Sequence, residues 1–308
     1  MGEKPVLKIG HLRITDHLIL GVTRTKIEKS VETFQHSTIE TVPMTGWNSI
    51  GEALTAGKID IAFILAPYAM ELFHSGSRIK LILLSHKSGS IIVSNNRANV
   101  DKIEDFKGKT ILIPYHLSVH HMLIDQLLTD RGLETGIGKD VVFEVTAPSQ
   151  IPKFIEYDKD GDIGGYIVAE PFGTQVIRKG LGKELALSKD IWPNHPCCVV
   201  IVRDEIINSY PDAIHELTES LVKSGQLVSQ KPETAAKIGA SFLNQEYDII
   251  HSVLTQPADK LTTTELRPVL EDLDTIQNYL TEKISSMSGK IDLEKFVDFQ
   301  FAEAAGAK

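Results

Sequence analysis

The stretch GKIDIAFILAPYA occupies residues 57–69, and a second stretch on the same plan, GDIGGYIVAEPFG, occupies residues 161–173. In each, a glycine and an isoleucine lead into a short apolar run that ends at a proline and an aromatic residue. A short apolar run bounded by Gly and Pro is typical of a buried β-strand. The repeat therefore predicts two equivalent strands in two similar α/β units, with coincidence between two unrelated units as the alternative.

The rest of the chain alternates around these two stretches. Up to about Ser209, runs typical of strands alternate with segments that have a helical period, which predicts parallel α/β sheets. From Ser209 to Lys308 the pattern is almost wholly helical, and we expect this tail to pack outside the sheets. Ligands of open α/β sheets bind beyond the carboxyl ends of the strands. The two prolines mark such strand ends, so we expect a ligand cleft where the two units face each other.

Composition narrows the class of protein. The 308 residues are 42% hydrophobic and 24% charged, with a formal net charge of −9. An acidic balance argues against a nucleic-acid or anionic-membrane surface, although it does not exclude a small anion in a local pocket. No apolar run reaches the roughly 18–20 residues of a membrane span. The N-terminus lacks a signal-peptide pattern, so we expect a cytoplasmic protein or a mature form whose leader has been trimmed.

The two cysteines, Cys197 and Cys198, are adjacent. Disulfide geometry fits neighbouring residues badly, so we expect both thiols to be reduced. Their spacing matches no cysteine metal motif, and we expect them to act as small buried apolar residues.

The densest polar cluster is IPYHLSVHHMLI, residues 113–124. Ser118 fits the N-cap of a long helix, and a helix N-terminus that follows a strand is a favourable anion site. We expect His116 and His120 to flank this site. His121 points about 100° away from His120 on the helix and is expected to face solvent.

The other candidate ligand contacts lie at the ends of predicted strands or beside the predicted crossings between units. The alternatives are structural: a capped turn at 15–17, a core role for Trp47, and a histidine partner for Glu170, whose carboxylate is costly to bury unpaired. These candidates are Thr15, Asp16, His17, Trp47, Ala66, Ser90, Glu170 and His195.

A metal site is the alternative to a solute site. Imidazole and carboxylate suit Zn²⁺, which takes about four ligands at roughly 2.0–2.2 Å. No compact motif such as HExxH is present, so no metal or other cofactor is expected. The residues of this alternative are His17, His116, His120, Glu170 and His195.

Six stretches resemble, in order, the substrate-binding proteins of ABC importers for nitrate, sulfonate, taurine and bicarbonate, together with relatives that carry pyrimidine precursors of thiamine. They cover most of residues 8–230. The stretches are TDH (15–17), GWNSIGEALTAGKIDIAFILAP (46–67), SGSIIVS (88–94), DFKGKTILIPYHLSVHHMLIDQLLTDRGL (105–133), YIVAEPFG (166–173) and WPNHPCCVVIVRDE (192–205).

This resemblance implies the type II periplasmic-binding fold, in which two α/β lobes joined by two crossing strands close on a ligand. Lobe 1 is expected to comprise residues 1–91 plus 201–308, with the helical tail, and lobe 2 residues 92–200. SGSIIVSN and CCVVIVRDE are the expected crossings. The chain departs from the family at TRTKIEKSVETF (23–34), which replaces a small-residue motif, and at Gly164–Gly165, which replaces Asp-Ala.

The resemblance also implies a function. We expect the extracytoplasmic solute-binding component of an ABC importer: a monomer without catalysis, with a permease and an ATPase as partners and a possible lipid anchor. The expected ligand is a small anion or a small heteroaromatic or sulfonate-type solute. Nitrate itself is disfavoured because no lysine can be assigned to the cleft. Two alternatives stay open: a zinc-binding or sensor protein, and an enzyme similar to thiamine-pyrimidine synthases, whose cysteine-rich motif is absent here.

Overall fold

The computed structural model describes residues 4–308. Two five-stranded sheets form its frame, and a two-stranded pair lies beside them. The first sheet contains β1 (Val6–His11), β2 (Thr38–Pro43), β3 (Ile61–Leu65), β4 (Ile79–Leu84) and β11 (Cys198–Arg203). The short pair is β5 (Lys87–Ser88) with β12 (Leu261–Thr262). The second sheet contains β6 (Ser90–Asn95), β7 (Thr110–Ile113), β8 (Val142–Val145), β9 (Ile163–Ala169) and β10 (Gly182–Leu187).

Helices connect the strands and form the C-terminal tail. Those between strands are α1 (Leu18–Glu28), α2 (Trp47–Thr55), α3 (Ala66–His74), α4 (Val119–Thr129), α5 (Ile151–Tyr157), α6 (Phe172–Arg178) and α7 (Ser188–Ile191). The tail contains α8 (Asp204–Ser209), α9 (Pro211–Gln230), α10 (Pro232–Leu243), α11 (Tyr247–Thr255), α12 (Leu270–Glu282), α13 (Leu293–Phe296) and α14 (Phe299–Ala304). Three short 3₁₀ helices lie at Thr15–His17, Ile103–Phe106 and Pro148–Gln150.

The two sheets share one strand order, β2-β1-β3-β11-β4 and β8-β7-β9-β6-β10. In each, the first three strands are parallel, and the fourth runs antiparallel to both of its neighbours. The expectation of parallel sheets is wrong for these fourth strands. Each is a crossing strand that enters its sheet from the edge where the parallel strands end, so it must run in the opposite direction.

The repeated stretches occupy equivalent places. β3 and β9 are the third strands of their sheets, both almost wholly buried, and α3 and α6 follow them directly. The prediction of two equivalent buried strands is therefore confirmed. We call the part built on the first sheet the first lobe and the part built on the second sheet the second lobe.

The helical tail packs mainly on the first lobe. α9 and α10 lie against α1, α14 against β4, and α12 against α3. α11 also reaches α6 of the second lobe, and β12 pairs with β5. The division of the chain at residues 91 and 200 stays a prediction.

No helix within residues 4–308 combines the length and the apolar character that crossing a membrane requires.

Candidate functional site

The carboxyl ends of the parallel strands face one another across a cleft between the lobes. Thr15 follows β1, and Glu170 follows β9 on the opposite side. The backbone N–H and the Oγ1 of Thr15 each donate to the carbonyl oxygen of Glu170, both at 2.9 Å. The lobes are thus in direct contact where their strands end.

An Asp–His pair lies at the centre of this region. Asp16 Oδ2 is 3.0 Å from His86 Nε2, and both side chains are fully buried. Burial raises the pKa of Asp16 above its ordinary value. Burial alone would lower the pKa of His86, but the Asp16 carboxylate and Cys197 raise it to about 10. Both shifts retain a proton on the pair near neutral pH.

The adjacent cysteines face the same carboxylate. The Sγ atoms of Cys197 and Cys198 lie 3.9 and 3.8 Å from Asp16 Oδ2. Both thiols are free and buried, as expected, but they contact charged and polar groups and not only apolar ones. Hydrogen bonding to Cys198, with the imidazoles of His120 and His86, lowers the pKa of Cys197 against the opposing effect of burial. Burial raises the pKa of Cys198.

Two further buried histidines border the thiols. His120 Nε2 lies 2.8 Å from Ser90 Oγ and 4.0 Å from Cys197 Sγ. His195 Nδ1 lies 3.1 Å from the carbonyl oxygen of Pro196, so its N–H donates there and its Nε2 keeps a lone pair. Burial lowers the pKa of His195 to about 4. We call Asp16, His86, His120, His195, Cys197 and Cys198 the buried cluster.

His17 and Trp47 form an aromatic wall on the first lobe. The N–H of Leu12 donates to His17 Nδ1 at 3.0 Å, and burial lowers the pKa of His17. The His17 ring packs edge-on against Trp47 and Phe63. Trp47 begins α2 and is buried.

Glu170 already has protein partners. Its carboxylate accepts from the N–H and Oγ1 of Thr174 at 2.9 and 2.8 Å, and Lys260 Nζ lies 3.1 Å away. Lys260 is 4% exposed and comes from the tail, so this ion pair joins the tail to the second lobe. In the first lobe, Ala66 takes the place that Glu170 has in the second lobe. Ala66 is buried, and its backbone N–H donates to the carbonyl oxygen of Cys197 at 2.9 Å.

The structure does not bring His116 to the buried cluster. Its side chain is exposed, and its carbonyl oxygen lies 2.9 Å from Nδ1 of the partly buried His121. The physical reason is that His116 lies in the loop before α4, outside the helix that carries His120 inward. Ser118 caps α4 as predicted, since its Oγ accepts from the N–H of His121 at 3.0 Å.

The zinc set of the alternative hypothesis is likewise not assembled as expected. His116 is exposed and Glu170 is paired with Lys260, whereas the close donor atoms belong to other residues. Within residues 4–308, one group of metal-ligating side chains has all its donor atoms within 4.8 Å of one another. That group is Asp16, His86, Cys197 and Cys198.

Many polar atoms around the cleft have no hydrogen-bond partner. Eleven buried side-chain atoms of the described chain lack one, and six of them belong to the buried cluster or its aromatic wall. The six atoms are Asp16 Oδ1, His17 Nε2, Trp47 Nε1, His86 Nδ1, His120 Nδ1 and His195 Nε2. Because buried polar groups are normally satisfied, this concentration indicates a place for a polar ligand.

A cavity of about 310 Å³ lies at the rim of the cleft. Its lining is mainly apolar and comes from both lobes. The lining residues are Leu12, Arg13, Ile14, Pro43, Met44 and Thr45 on one side and Pro148, Ser149 and Phe172 on the other.

Sequence reasoning missed His86 and Lys260 and misread the two cysteines. His86 stands in SHKSG, directly before the predicted crossing, and that position was the available signal. Lys260 lies in the helical tail, where no local pattern points to the cleft.

A sequence model of the NMT1-like family matches residues 1–243. The nitrate import ATP-binding protein NrtC of a Synechocystis species is 27% identical over 240 residues, which are 72% of this chain and 35% of that protein. The chain thus spans about a third of the length of the first curated relatives that it matches.

Two solved structures are similar over nearly the whole chain. The ligand-binding component of an ABC-type import system from Staphylococcus aureus, with zinc bound, has a TM-score of 0.86 at 24% identity and covers 98% of this chain and 99% of its own. The periplasmic nitrate-binding protein NrtA from Synechocystis has a TM-score of 0.84 at 16% identity, covering 99% and 89%. These likenesses show the fold of periplasmic binding proteins and confirm the predicted fold class.

Proposed function

The chain belongs to the NMT1-like family, and we propose that it is the solute-binding component of an ABC importer. One observation carries the proposal: six buried polar atoms without protein partners surround the ends of the strands between the two lobes. A solute that enters this cleft satisfies those atoms and contacts both lobes at once. Such a ligand stabilises the closed arrangement, because it makes these contacts only there.

The proposed solute is small and is either an anion or a sulfonate-type or heteroaromatic compound. Imidazole N–H groups of His17 and His120 are suitable donors to anionic or ring acceptors, whereas Nε2 of His195 offers a lone pair to a donor on the solute. The indole of Trp47 offers a flat apolar surface and one N–H donor. Relatives named for nitrate import and nitrate binding also support a small anion as the ligand class.

The proposed ligand contacts on the first lobe are Thr15, Asp16, His17, Trp47 and Ala66. Those elsewhere are Ser90, Ser118, His120, Glu170 and His195, with Glu170 acting through its ion pair. His116 is left out because its side chain is exposed.

The importer setting is part of the same proposal. The chain acts outside the cytoplasm as a monomer, held by a lipid anchor or free in the periplasm, and delivers its solute to a permease driven by an ATPase. It acts by binding and release, without catalysis. Enzyme chemistry is an outcome that the following test separates from this one, because an enzyme would return a chemically altered solute.

The test is native mass spectrometry of the purified protein compared with its denatured mass, followed by titration calorimetry with nitrate, bicarbonate and short alkanesulfonates. We expect a small non-covalent adduct or a saturable heat with one of these solutes. In the His120→Ala variant we expect binding to weaken by more than about tenfold, which corresponds to the loss of one hydrogen bond to a charged group.

His121→Ala is the matched control. His121 is the next residue on α4, but its ring lies against Phe143 and Tyr279, outside the buried cluster. Its binding should stay within about twofold of wild type. Equal loss in both variants, or a chemically altered solute recovered after incubation, contradicts the proposal.

A further inference from the structure

We propose that Asp16, His86, Cys197 and Cys198 form a binding site for a divalent metal ion of the zinc class. This inference goes beyond the import function. The two share Asp16, but metal binding by the purified chain can be measured without a transporter. Its basis is the geometry of the four donor atoms, the lone pairs that they bring together, and the glycine backbone beside the Asp–His pair.

The donor atoms have the spacing of a tetrahedral site. All lie within 4.8 Å of one another, with Asp16 Oδ2 3.0 Å from His86 Nε2 and 3.8–3.9 Å from the two Sγ atoms. A tetrahedron with metal–sulfur bonds of about 2.3 Å and metal–nitrogen or metal–oxygen bonds of about 2.0–2.2 Å has edges of about 3.3–3.8 Å. Small shifts of the side chains therefore suffice to enclose an ion.

Adjacent cysteines in extended chain normally point to opposite faces. Cys198 is the first residue of β11, yet the thiol of Cys197 faces the same carboxylate oxygen as the thiol of Cys198. The break in alternation at the start of the strand places two sulfur ligands on one side. Paired sulfur ligands with one nitrogen and one oxygen favour Zn²⁺ over the harder Mg²⁺ and Ca²⁺.

His86 Nε2 has two close polar neighbours. Asp16 Oδ2 lies 3.0 Å away, and the backbone N–H of Cys198 is directed at the same nitrogen at 3.2 Å. In the metal-free site, a proton on the Asp–His pair lies between the two side chains. A divalent ion that replaces this proton accepts one lone pair from Asp16 and one from His86.

Gly89 leaves space beside the pair. A β-carbon at this residue would lie 3.4 Å from both Asp16 Oδ1 and His86 Nδ1, which have no protein partner, and 2.7 Å from Leu261 Cδ1. The glycine also has φ of +89°, a conformation that other residues rarely adopt. The glycine is thus required by its backbone conformation and by Leu261, and it leaves uncrowded the two atoms of the Asp–His pair that do not serve as ligands.

The thiols are suited to the role by their position. Both are free and buried, and both lie 3.8–3.9 Å from Asp16 Oδ2. His120, 4.0 Å from Cys197 Sγ but hydrogen-bonded to Ser90, is assigned a place beside the ligands and not among them. All four ligands are buried, so an ion enters when the lobes separate.

The test uses the full chain, reduced and stripped of metal with a chelator. Titration with ZnCl₂, read by calorimetry and elemental analysis, should give one equivalent per chain. Substitution with Co²⁺ should give thiolate charge-transfer bands and the intense visible bands of a tetrahedral site. In Cys197→Ser the affinity for zinc should fall by more than about tenfold, and the thiolate bands of Co²⁺ should weaken. Loss of even an outer-shell partner lowers metal affinity by about 10–100-fold.

His86→Gln is the second variant, because it leaves both thiols in place if the serine variant folds poorly. His121→Ala, whose imidazole lies outside the group, should bind as wild type does. Absence of zinc binding by the reduced protein overturns the proposal, as does a Co²⁺ spectrum without thiolate bands or binding that survives both variants. A protein that binds a solute but no metal would contradict this inference and would leave the proposed import function unaffected.

Discussion

Residues 57–69 and 161–173 occupy the same place in the two lobes, yet their ends differ. After β3 the backbone N–H of Ala66 donates to the carbonyl oxygen of Cys197, and after β9 that of Glu170 donates to the carbonyl oxygen of Gly89, at 2.9 and 3.2 Å. Each strand thus ends on the segment that leads into or out of a crossing. The side chains diverge: a methyl group in the first lobe, a carboxylate in the second.

The same backbone arrangement thus holds an uncharged side chain in one lobe and a charged side chain in the other. The small Ala66 adds no charge beside the buried cluster. Glu170 places a charge in an equally buried position, where it is tolerated because the tail supplies Lys260. Four predictions test how much this difference, and other differences between the lobes, contribute to the free energy of unfolding.

The largest effect is expected from Lys260→Met. It leaves the buried carboxylate of Glu170 without its cation, and removing one partner of a buried pair costs about 3–5 kcal/mol. Urea denaturation measures the free energy of unfolding. The double variant Lys260→Met, Glu170→Gln should recover most of the loss, because no buried charge remains.

Lys87→Met is the matched control for Lys260→Met. Lys87 is also buried, and it pairs with Glu265 at 3.3 Å, but the Glu265 side chain is 49% exposed. That carboxylate stays solvated when the lysine is removed, so this variant should stay within about 1 kcal/mol of wild type. Similar losses in both lysine variants would show that the pair at Glu170 is not special.

The second prediction concerns acid stability. β1 ends at buried His11, whereas β7, the corresponding strand, ends at Ile113, which does not titrate. Burial lowers the pKa of His11 from 6.5 to about 4. Between these values the unfolded chain binds more protons, so stability is full above pH 6.5 and falls as the pH drops towards 4, by up to about 3 kcal/mol.

Urea denaturation at a series of pH values measures this contribution. His11→Phe, which can keep the stacking on Phe242, should remove that part of the slope. An unaltered slope in His11→Phe would assign the acid sensitivity to other groups.

The third prediction compares Gly173 with its counterpart Ala69. A β-carbon on Gly173 would lie 2.1 Å from Ile91 Cγ2 and 3.2 Å from Glu170 Oε2. Gly173→Ala should therefore destabilise by about 1–3 kcal/mol through overpacking. Thermal denaturation followed by circular dichroism measures the change.

The reverse substitution in the first lobe, Ala69→Gly, should cost about 1 kcal/mol by loss of helix propensity in α3. The two lobes would then prefer opposite residues at equivalent positions. A stabilised Gly173→Ala would refute the close packing of the second lobe at this point.

The smallest effect is expected from Tyr279→Phe. The Tyr279 hydroxyl donates to Asp125 Oδ2 at 3.1 Å, a contact between the tail and the second lobe without a cation. Its loss should cost about 0.5–1.5 kcal/mol, measured by urea denaturation. Tyr157→Phe, on a side chain that is 74% exposed, should be neutral. A loss of stability as large as that of Lys260→Met would contradict this ranking of the two contacts between the tail and the second lobe.

Local patterns predicted much of the fold. The apolar runs, the glycines and prolines around β3 and β9, and the N-cap at Ser118 depend on residues within a few positions of one another, so the sequence reveals them directly. The direction of the crossing strands was not predictable in this way. It depends on which edge of a sheet the chain enters, and that is decided by the arrangement of both lobes.

The candidate site divides along the same line. Sequence patterns alone placed Asp16 and Glu170 at the ends of strands, His120 in the first turn of a helix that follows a strand, and His195 beside a crossing. These positions can be read from local periodicity and turn residues. Only the tertiary structure placed Cys197 beside Asp16, 181 positions away, and Lys260 beside Glu170, 90 positions away. Contacts between distant positions follow from how lobes and tail pack, and no periodicity within one segment encodes the partner that packing supplies.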